Sequence, residues 1–376
     1  MKKTKKKFSS FLNNSIDYTL LITVLLLLAL GLIMVLSASS PTALSEGGKS
    51  YSYFIRQLFF AVVGLFAMYI ISNIDYRFYK KFYKLAYILS IVLLVAVLVI
   101  GTERNNAKRW IYVTESLSFQ PSELVKLFMI VFYAAILTKN RDDLGKYFKG
   151  IIKHMLFLVP IAILLLLEPH MSATMVILGI CIIMMIMAGC KFWQMLVSGI
   201  CVGIPGIAVL IAIEPYRLKR FFTFLDPWSD PLRDGWQVIQ SLYAIGSGGL
   251  FGLGLGQSKQ KYLYLPEPHN DFIFSVLAEE LGLVGCVFVI ILFAILIWRG
   301  ILTAMRAPDM FGSILAVGIT ALISIQVIIN IAVVTSSMPA TGMPLPFFSY
   351  GGTALFILLC EVGVLLNISR AGQKTE

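Results

Sequence analysis

Long runs of apolar residues dominate the chain, and polar residues gather in the short stretches between them. Most runs come close to the ~20 residues that an α-helix needs to cross a bilayer. Ten spans are predicted, at 18–38, 54–72, 84–100, 122–138, 154–168, 171–189, 192–213, 271–298, 313–335 and 351–368. The expected fold class is an all-α polytopic membrane protein, with a large extracytoplasmic loop, 214–270, between spans 7 and 8. One membrane domain then covers 1–376, with a basic tail at 1–17 and a short tail at 369–376. The first run follows MKKTKKK, is too long for a removed signal peptide and lacks a small-residue cleavage site, so it reads as a retained span.

Composition agrees with this reading. Hydrophobic residues make up 58% of the chain and charged ones 14%, against about 25% charged in a soluble domain. The net charge of +11 could suggest nucleic acid, but its placement decides otherwise. With the N-terminus in the cytoplasm, 19 of the 31 Lys and Arg fall on the cytoplasmic side, as the positive-inside rule requires. Both termini then lie in the cytoplasm. The basic excess is a topology signal, with anionic lipid headgroups as secondary partners. The five cysteines have no paired spacing, which excludes a disulfide framework or zinc motif and leaves buried packing as their role.

Chemistry concentrates on the outside face. In YLPEPHNDFIFSVLAEELG (264–282), Pro266 and Pro268 break any helix, Asn270 suits an N-cap, and Asp271 falls in the expected first turn. A helix dipole favours a carboxylate there, so capping alone is one reading of Asp271. Ser275, Ala278, Gly282 and Gly285 share its face. Such a small-residue stripe packs against another helix and turns Asp271 inward, which favours a chemical role. Glu279 and Glu280 point elsewhere and read as partners for buried cations.

Glu123 and Lys126 lie three apart at the head of span 4. They form either a self-neutralising pair or, with Arg109, one wall of an anion site. Arg217, Lys219 and Arg220 sit above span 7, where headgroup contact is the plain alternative to substrate binding. The stretch 234–249 reads as a short amphipathic interfacial helix ended by glycines. The glycine-rich 246–257 fits no nucleotide fingerprint and is expected to be a close-packed loop. Irregular backbone at 341–352 must be buried in protein or line a cavity. His170 and Glu361 read as hydrogen-bonded structural groups. No internal repeat is visible, which counts weakly against a transporter. These residues describe a polytopic protein that handles an anionic, lipid-linked ligand at the outer leaflet, and they leave the reaction open.

Five segments carry a resemblance. They are KRW with FQPSELVK (108–110, 119–126), YRLKRFFTFLDPW (216–228), GWQVIQSLYAIGSGGLFGLGLG (235–256), LPEPHNDFIFSVLAEELG (265–282) and TGMPLPFFSYGG (341–352). In order and across the whole chain, they resemble the SEDS family (shape, elongation, division and sporulation), the peptidoglycan glycosyltransferases RodA, FtsW and SpoVE. GLIMVLSASS (31–40) is similar to the FtsW/SpoVE branch. EPHMSAT (168–174) departs from the family's P-D-x-G-T pattern, and His170 stands where an Asp often does.

The resemblance implies polymerisation of lipid II into β-1,4 glycan on the outer face of the bacterial cytoplasmic membrane, for division or sporulation wall synthesis. The family's essential carboxylate falls on Asp271, as general base. Substrate binding falls to Arg109, Glu123, Lys126, Arg217, Arg220, Gln237, Glu267, His269 and Ser349. The resemblance also implies a divalent metal cation (Mg or Mn), no nucleotide, and nascent glycan on undecaprenyl diphosphate as co-substrate. The resemblance also implies a cognate class B penicillin-binding protein as partner, which would supply the cross-linking. Two rivals are a lipid II flippase and a non-catalytic division scaffold. Few polar groups lie inside the spans, and an inward carboxylate has little use in a scaffold.

Overall fold

The computed structural model describes residues 16–104, 107–114, 117–200, 222–233 and 235–373. Nine described helices are long and apolar enough to cross a membrane, which makes the chain a multi-pass, all-α membrane protein. The expected seventh span, 192–213, lies largely outside the described residues, as do Cys201, Arg217 and Arg220.

The helices are α1 (Tyr18–Ser45), α2 (Ser52–Ser72), α3 (Tyr83–Ile100), α4 (Pro121–Lys139), α5 (Lys153–Leu167), α6 (Met171–Ala188), α7 (Trp236–Gly248), α8 (Ile273–Met305), α9 (Met310–Val334) and α10 (Gly352–Gly372). The loop before α4 holds three short antiparallel strands, β1 (Thr102–Arg104), β2 (Ala107–Thr114) and β3 (Leu117–Phe119), in the order β1-β2-β3. Period-3.6 patterning did not anticipate them, because strands this short leave no hydrophobic signature.

α10 is the most buried membrane helix and packs along α2, while α8 packs on α1, α7 and α9. Small residues allow close crossings. A Cβ on Gly31 of α1 would lie 2.1 Å from the Phe347 carbonyl, so the 341–350 loop seats directly on that helix. At the opposite end of the bundle, Asp17 accepts from Arg299 at 3.0 Å and Asp309 accepts from Arg77 at 2.8 Å. Those pairs tie α1 to α8, and the turn before α3 to the start of α9. Cys181, Cys190, Cys286 and Cys360 are buried packing residues.

α8 departs from the expected plain span. Its 33 residues measure about 50 Å at 1.5 Å per residue, longer than the ~30 Å hydrocarbon core. At Gly282 (φ 67, ψ −167) the helix breaks. The glycine-rich loop after α7 repairs the break. Leu253 and Gly254 N–H groups donate to the Glu279 and Glu280 carbonyls at 2.9 and 3.0 Å. Leu283 and Val284 N–H groups donate to Gly249 and Leu250 carbonyls at 2.9 and 3.1 Å. Unpaired backbone is not tolerated at membrane depth, so loop and break require each other. α7 packs on the small-residue face as predicted, with Ser241 and Ser275 hydroxyls 2.7 Å apart and Gly248 against Ala278.

Candidate active site

Two irregular segments, 265–272 and 341–351, meet above the bundle and are stitched together by side chains from the helices. Asn330 on α9 donates to the Asp271 carbonyl at 2.8 Å and to the Met343 carbonyl at 2.7 Å. Ser349 accepts from the Leu345 N–H and donates to the Asn270 carbonyl, both at 2.7 Å. Gln57 on α2 reads the same loop twice, donating to the Ser349 carbonyl at 3.2 Å and accepting from the Gly351 N–H at 3.1 Å. Tyr350 N–H donates to the His269 carbonyl at 2.8 Å. Backbone with no regular partner is therefore satisfied, as buried polar groups must be.

This corrects one expectation. Asp271 is not in the first turn of a helix. α8 begins at Ile273 with Phe272 at the N-cap, and Asp271 lies in the turn ahead of it. Asn270 is drawn away from capping, because its side-chain amide donates to Glu267 at 2.6 Å.

The stitched loops roof a cavity of about 360 Å³, within the size range of small-ligand sites. Asp271 is at its lip, with Arg109, Glu123 and Glu267 of the predicted residues also lining it. Among the described residues the Asp271 carboxylate accepts no hydrogen bond. Burial pushes its pKa up to about 6, the nearby Glu267 carboxylate adds to the rise, and the Arg109 guanidinium opposes it. Arg109 is itself held by a hydrogen bond to the Pro169 carbonyl. The result is an acceptor-only group, mostly ionised at neutral pH, open to the cavity.

The remaining predicted residues divide into supports and outliers. Lys126 is buried and paired to Glu123 at 2.7 Å, one turn below the cavity wall. Ser349 lines the cavity, but its hydroxyl is committed to the loop backbone. His269 is buried under the roof, its ring 4.9 Å from that of Tyr53 and 5.9 Å from that of Tyr350. Gln237 lies on α7 and is not part of the cavity wall. His170 lines the cavity, with its Nε2 3.4 Å from the Gln120 amide nitrogen. Burial, reinforced by the Arg109 and Lys126 charges, pushes its pKa down to about 3, so it is a neutral imidazole.

Glu280 meets the cation expected of it, Lys261, at 2.8 Å. Glu279 instead accepts from the Ser258 hydroxyl at 2.5 Å and from the Lys259 and Gln260 N–H groups at 2.9 and 3.3 Å. Glu361 corrects a second expectation. It lines the cavity and has no hydrogen-bond partner among the described residues.

Sequence reasoning missed Arg56, Gln57, Gln326 and Asn330. Each is a polar residue inside an apolar span, and that alone marked them as candidates. Arg56 adds a second arginine to the cavity wall, which Arg109 also lines. No group of three or more His, Cys, Asp or Glu converges to hold a metal ion among the described residues.

The family model described as "Cell cycle protein", FtsW/RodA/SpoVE, matches residues 18–374. The chain is 45% identical over 356 residues to Stage V sporulation protein E of Bacillus subtilis (strain 168), covering 94% of this chain and 97% of that one. It is 41% identical to a probable peptidoglycan glycosyltransferase FtsW of Geobacter sp. (strain M18), with 94% and 96% covered. Among solved structures, it is similar to a chain from "Structural coordination of polymerization and crosslinking by a peptidoglycan synthase complex", with TM-score 0.80, 30% identity, and 95% and 98% covered. The rod shape determining protein RodA of Thermus thermophilus matches with TM-score 0.69 and 27% identity over 95% and 97% of the two chains.

Proposed function

This chain belongs to the FtsW/RodA/SpoVE family of cell cycle proteins, and we propose that it is a peptidoglycan glycosyltransferase with Asp271 as its general base. The observation that carries the assignment is the Asp271 carboxylate, which lines a sugar-sized cavity and has no hydrogen-bond partner among the described residues. It polymerises lipid II on the outer face of the cytoplasmic membrane, with both chain termini in the cytoplasm.

The acceptor GlcNAc 4-hydroxyl approaches Asp271, and its oxygen attacks C1 of MurNAc on the growing chain. The C1–O bond to undecaprenyl diphosphate breaks with inversion, from α to β-1,4, and the hydroxyl proton passes to the carboxylate. A base works best with a pKa near the operating pH, and about 6 meets that requirement. An inverting attack needs a carboxylate on the acceptor side. The leaving diphosphate needs charge stabilisation rather than a proton, and Arg109 and Arg56 supply guanidinium groups on the cavity wall. A divalent ion, when bound, would add to the charge stabilisation of the leaving diphosphate. No step above depends on it.

The partner under this reading is a class B penicillin-binding protein, which cross-links what this chain polymerises. A flippase would need a polar route through the bundle. The cavity lining includes none of the charged residues at the other end of the bundle, where Asp17 pairs with Arg299 and Arg77 with Asp309.

The test is reconstitution of the full chain with its partner in vesicles containing lipid II. Glycan polymer from the wild type and none from Asp271→Ala is the expected result. Equal polymer from both removes Asp271 from the mechanism. No polymer from either, with lipid II crossing the bilayer, replaces the polymerase with the flippase.

A further inference from the structure

The floor of the cavity carries two polar groups that the proposed reaction does not use. Glu361 lies nine residues into α10 from Gly352, roughly 14 Å below the helix's outer end at 1.5 Å per residue. It is 2% exposed, and Gln326 on α9 is 6% exposed. Both line the cavity, and neither side chain has a hydrogen-bond partner among the described residues. Apolar Leu322, Ile357 and Leu358 line the wall with them. The charged groups facing Glu361 are Lys126 and Glu123, and the Lys126 ammonium is already committed to Glu123 at 2.7 Å.

Burying a carboxyl and an amide without partners is costly, and native interiors avoid it. Both groups open on one cavity, so what fills that cavity supplies their partners. A metal ion is a poor candidate, because no cluster of three ligating side chains forms among the described residues. A phosphate is also a poor candidate, because the cation that faces the floor, Lys126, is already committed to Glu123 at 2.7 Å. Hydroxyl and acetamido groups fit, since they donate to Glu361 and both donate to and accept from Gln326.

We propose that Gln326 and Glu361 form a carbohydrate subsite at the cavity floor, taking hydroxyl or acetamido groups of the donor sugar, whose phosphate stays at the rim with Arg56 and Arg109. The subsite rests on the glycosyltransferase reading and says which end of the substrate goes down. It makes the floor a selector for sugar and the rim a selector for charge.

Two probes separate these roles: fluorescently labelled lipid II, and undecaprenyl diphosphate without sugars. Binding is measured on the full-length detergent-solubilised protein, with melting temperature as the control for folding. Glu361→Leu and Gln326→Leu are expected to weaken lipid II binding about tenfold or more, the effect of one lost hydrogen bond to a charged or polar group. Undecaprenyl diphosphate should bind these variants and the wild type equally. Glu361→Gln, which keeps size and hydrogen bonding, should stay within about threefold of wild type for lipid II.

Equal loss for both probes, or no loss for either, overturns the subsite. So does a Gln variant as weak as the Leu variant, which would assign the effect to charge. A lowered melting temperature with unchanged binding would make Glu361 a support for Lys126 instead. If wild type binds lipid II but polymerises none with its partner, the glycosyltransferase reading fails and the subsite can still stand.

Discussion

Asp271 and the Glu279–Glu280 pair lie within nine residues of one another at the N-terminal end of α8, yet their surroundings are opposite. Glu279 and Glu280 are fully buried and fully satisfied by Ser37, Ser258, Lys261 and three backbone N–H groups. The Asp271 carboxylate has a charged neighbour of each sign and accepts no hydrogen bond among the described residues. The pair joins the 257–261 loop to α1 and to the broken helix. The single carboxylate is left for a ligand. Hydrogen-bond satisfaction, rather than burial or charge, is the difference on which the proposed role of Asp271 rests.

The largest effect should come from the unsatisfied side. Asp271→Asn is expected to lower the polymerisation rate by about 10²–10⁴, the usual worth of a general base. The same variant should gain stability. The folded state holds the Asp271 pKa at about 6, above its unfolded value, so its contribution to stability is full at low pH and is lost as pH rises through about 6. Thermal unfolding at pH 7 should therefore show Asp271→Asn more stable by about 1–3 kcal/mol, with the gain vanishing below about pH 4. A destabilised Asn variant would mean that Asp271 is structural after all.

On the satisfied side, Lys261→Met leaves Glu280 buried without its cation. A loss of about 3–5 kcal/mol is expected, and Lys261→Met with Glu280→Leu should recover most of it. Failure of the double variant to recover would show that the serine and backbone contacts, not the ion pair, set the cost. Gly282→Ala probes the joint itself. Its φ of 67° and a Cβ only 2.3 Å from the Gly252 nitrogen predict a loss of about 1–3 kcal/mol in thermal unfolding.

The smallest effect is the most specific. The polymerisation rate should fall as pH drops through about 6, following Asp271 ionisation. Glu267→Gln removes the neighbouring repulsion and should move that limb to lower pH by about half a pH unit. A limb that stays in place would assign it to another group.

Much of this molecule was legible before any coordinates. Runs of apolar residues placed nine of the ten helices among the described residues, because length and hydropathy alone decide what crosses lipid. The Glu123–Lys126 pair followed from helical spacing, and the close-packed glycine loop from its composition. The start of α8 did not follow, because Asn270 had two possible hydrogen-bond partners and long-range loop contacts chose Glu267. The break at Gly282 was hidden for the same reason. A glycine in an apolar run looks like a packing residue until a second loop arrives to pair with its neighbours.

By itself, the sequence determined the membrane class, the side on which the polar chemistry gathers, and Asp271 as the carboxylate to watch. Those are properties of composition, local spacing and a resemblance, and they survive without knowing which helix touches which. Only the tertiary structure decided that Gln57, Asn330 and Ser349 hold the roof, that Arg56 joins Arg109 on the cavity wall, and that Glu361 has no hydrogen-bond partner among the described residues. Whether a polar group inside a span is satisfied depends on neighbours hundreds of residues away. No local pattern encodes that.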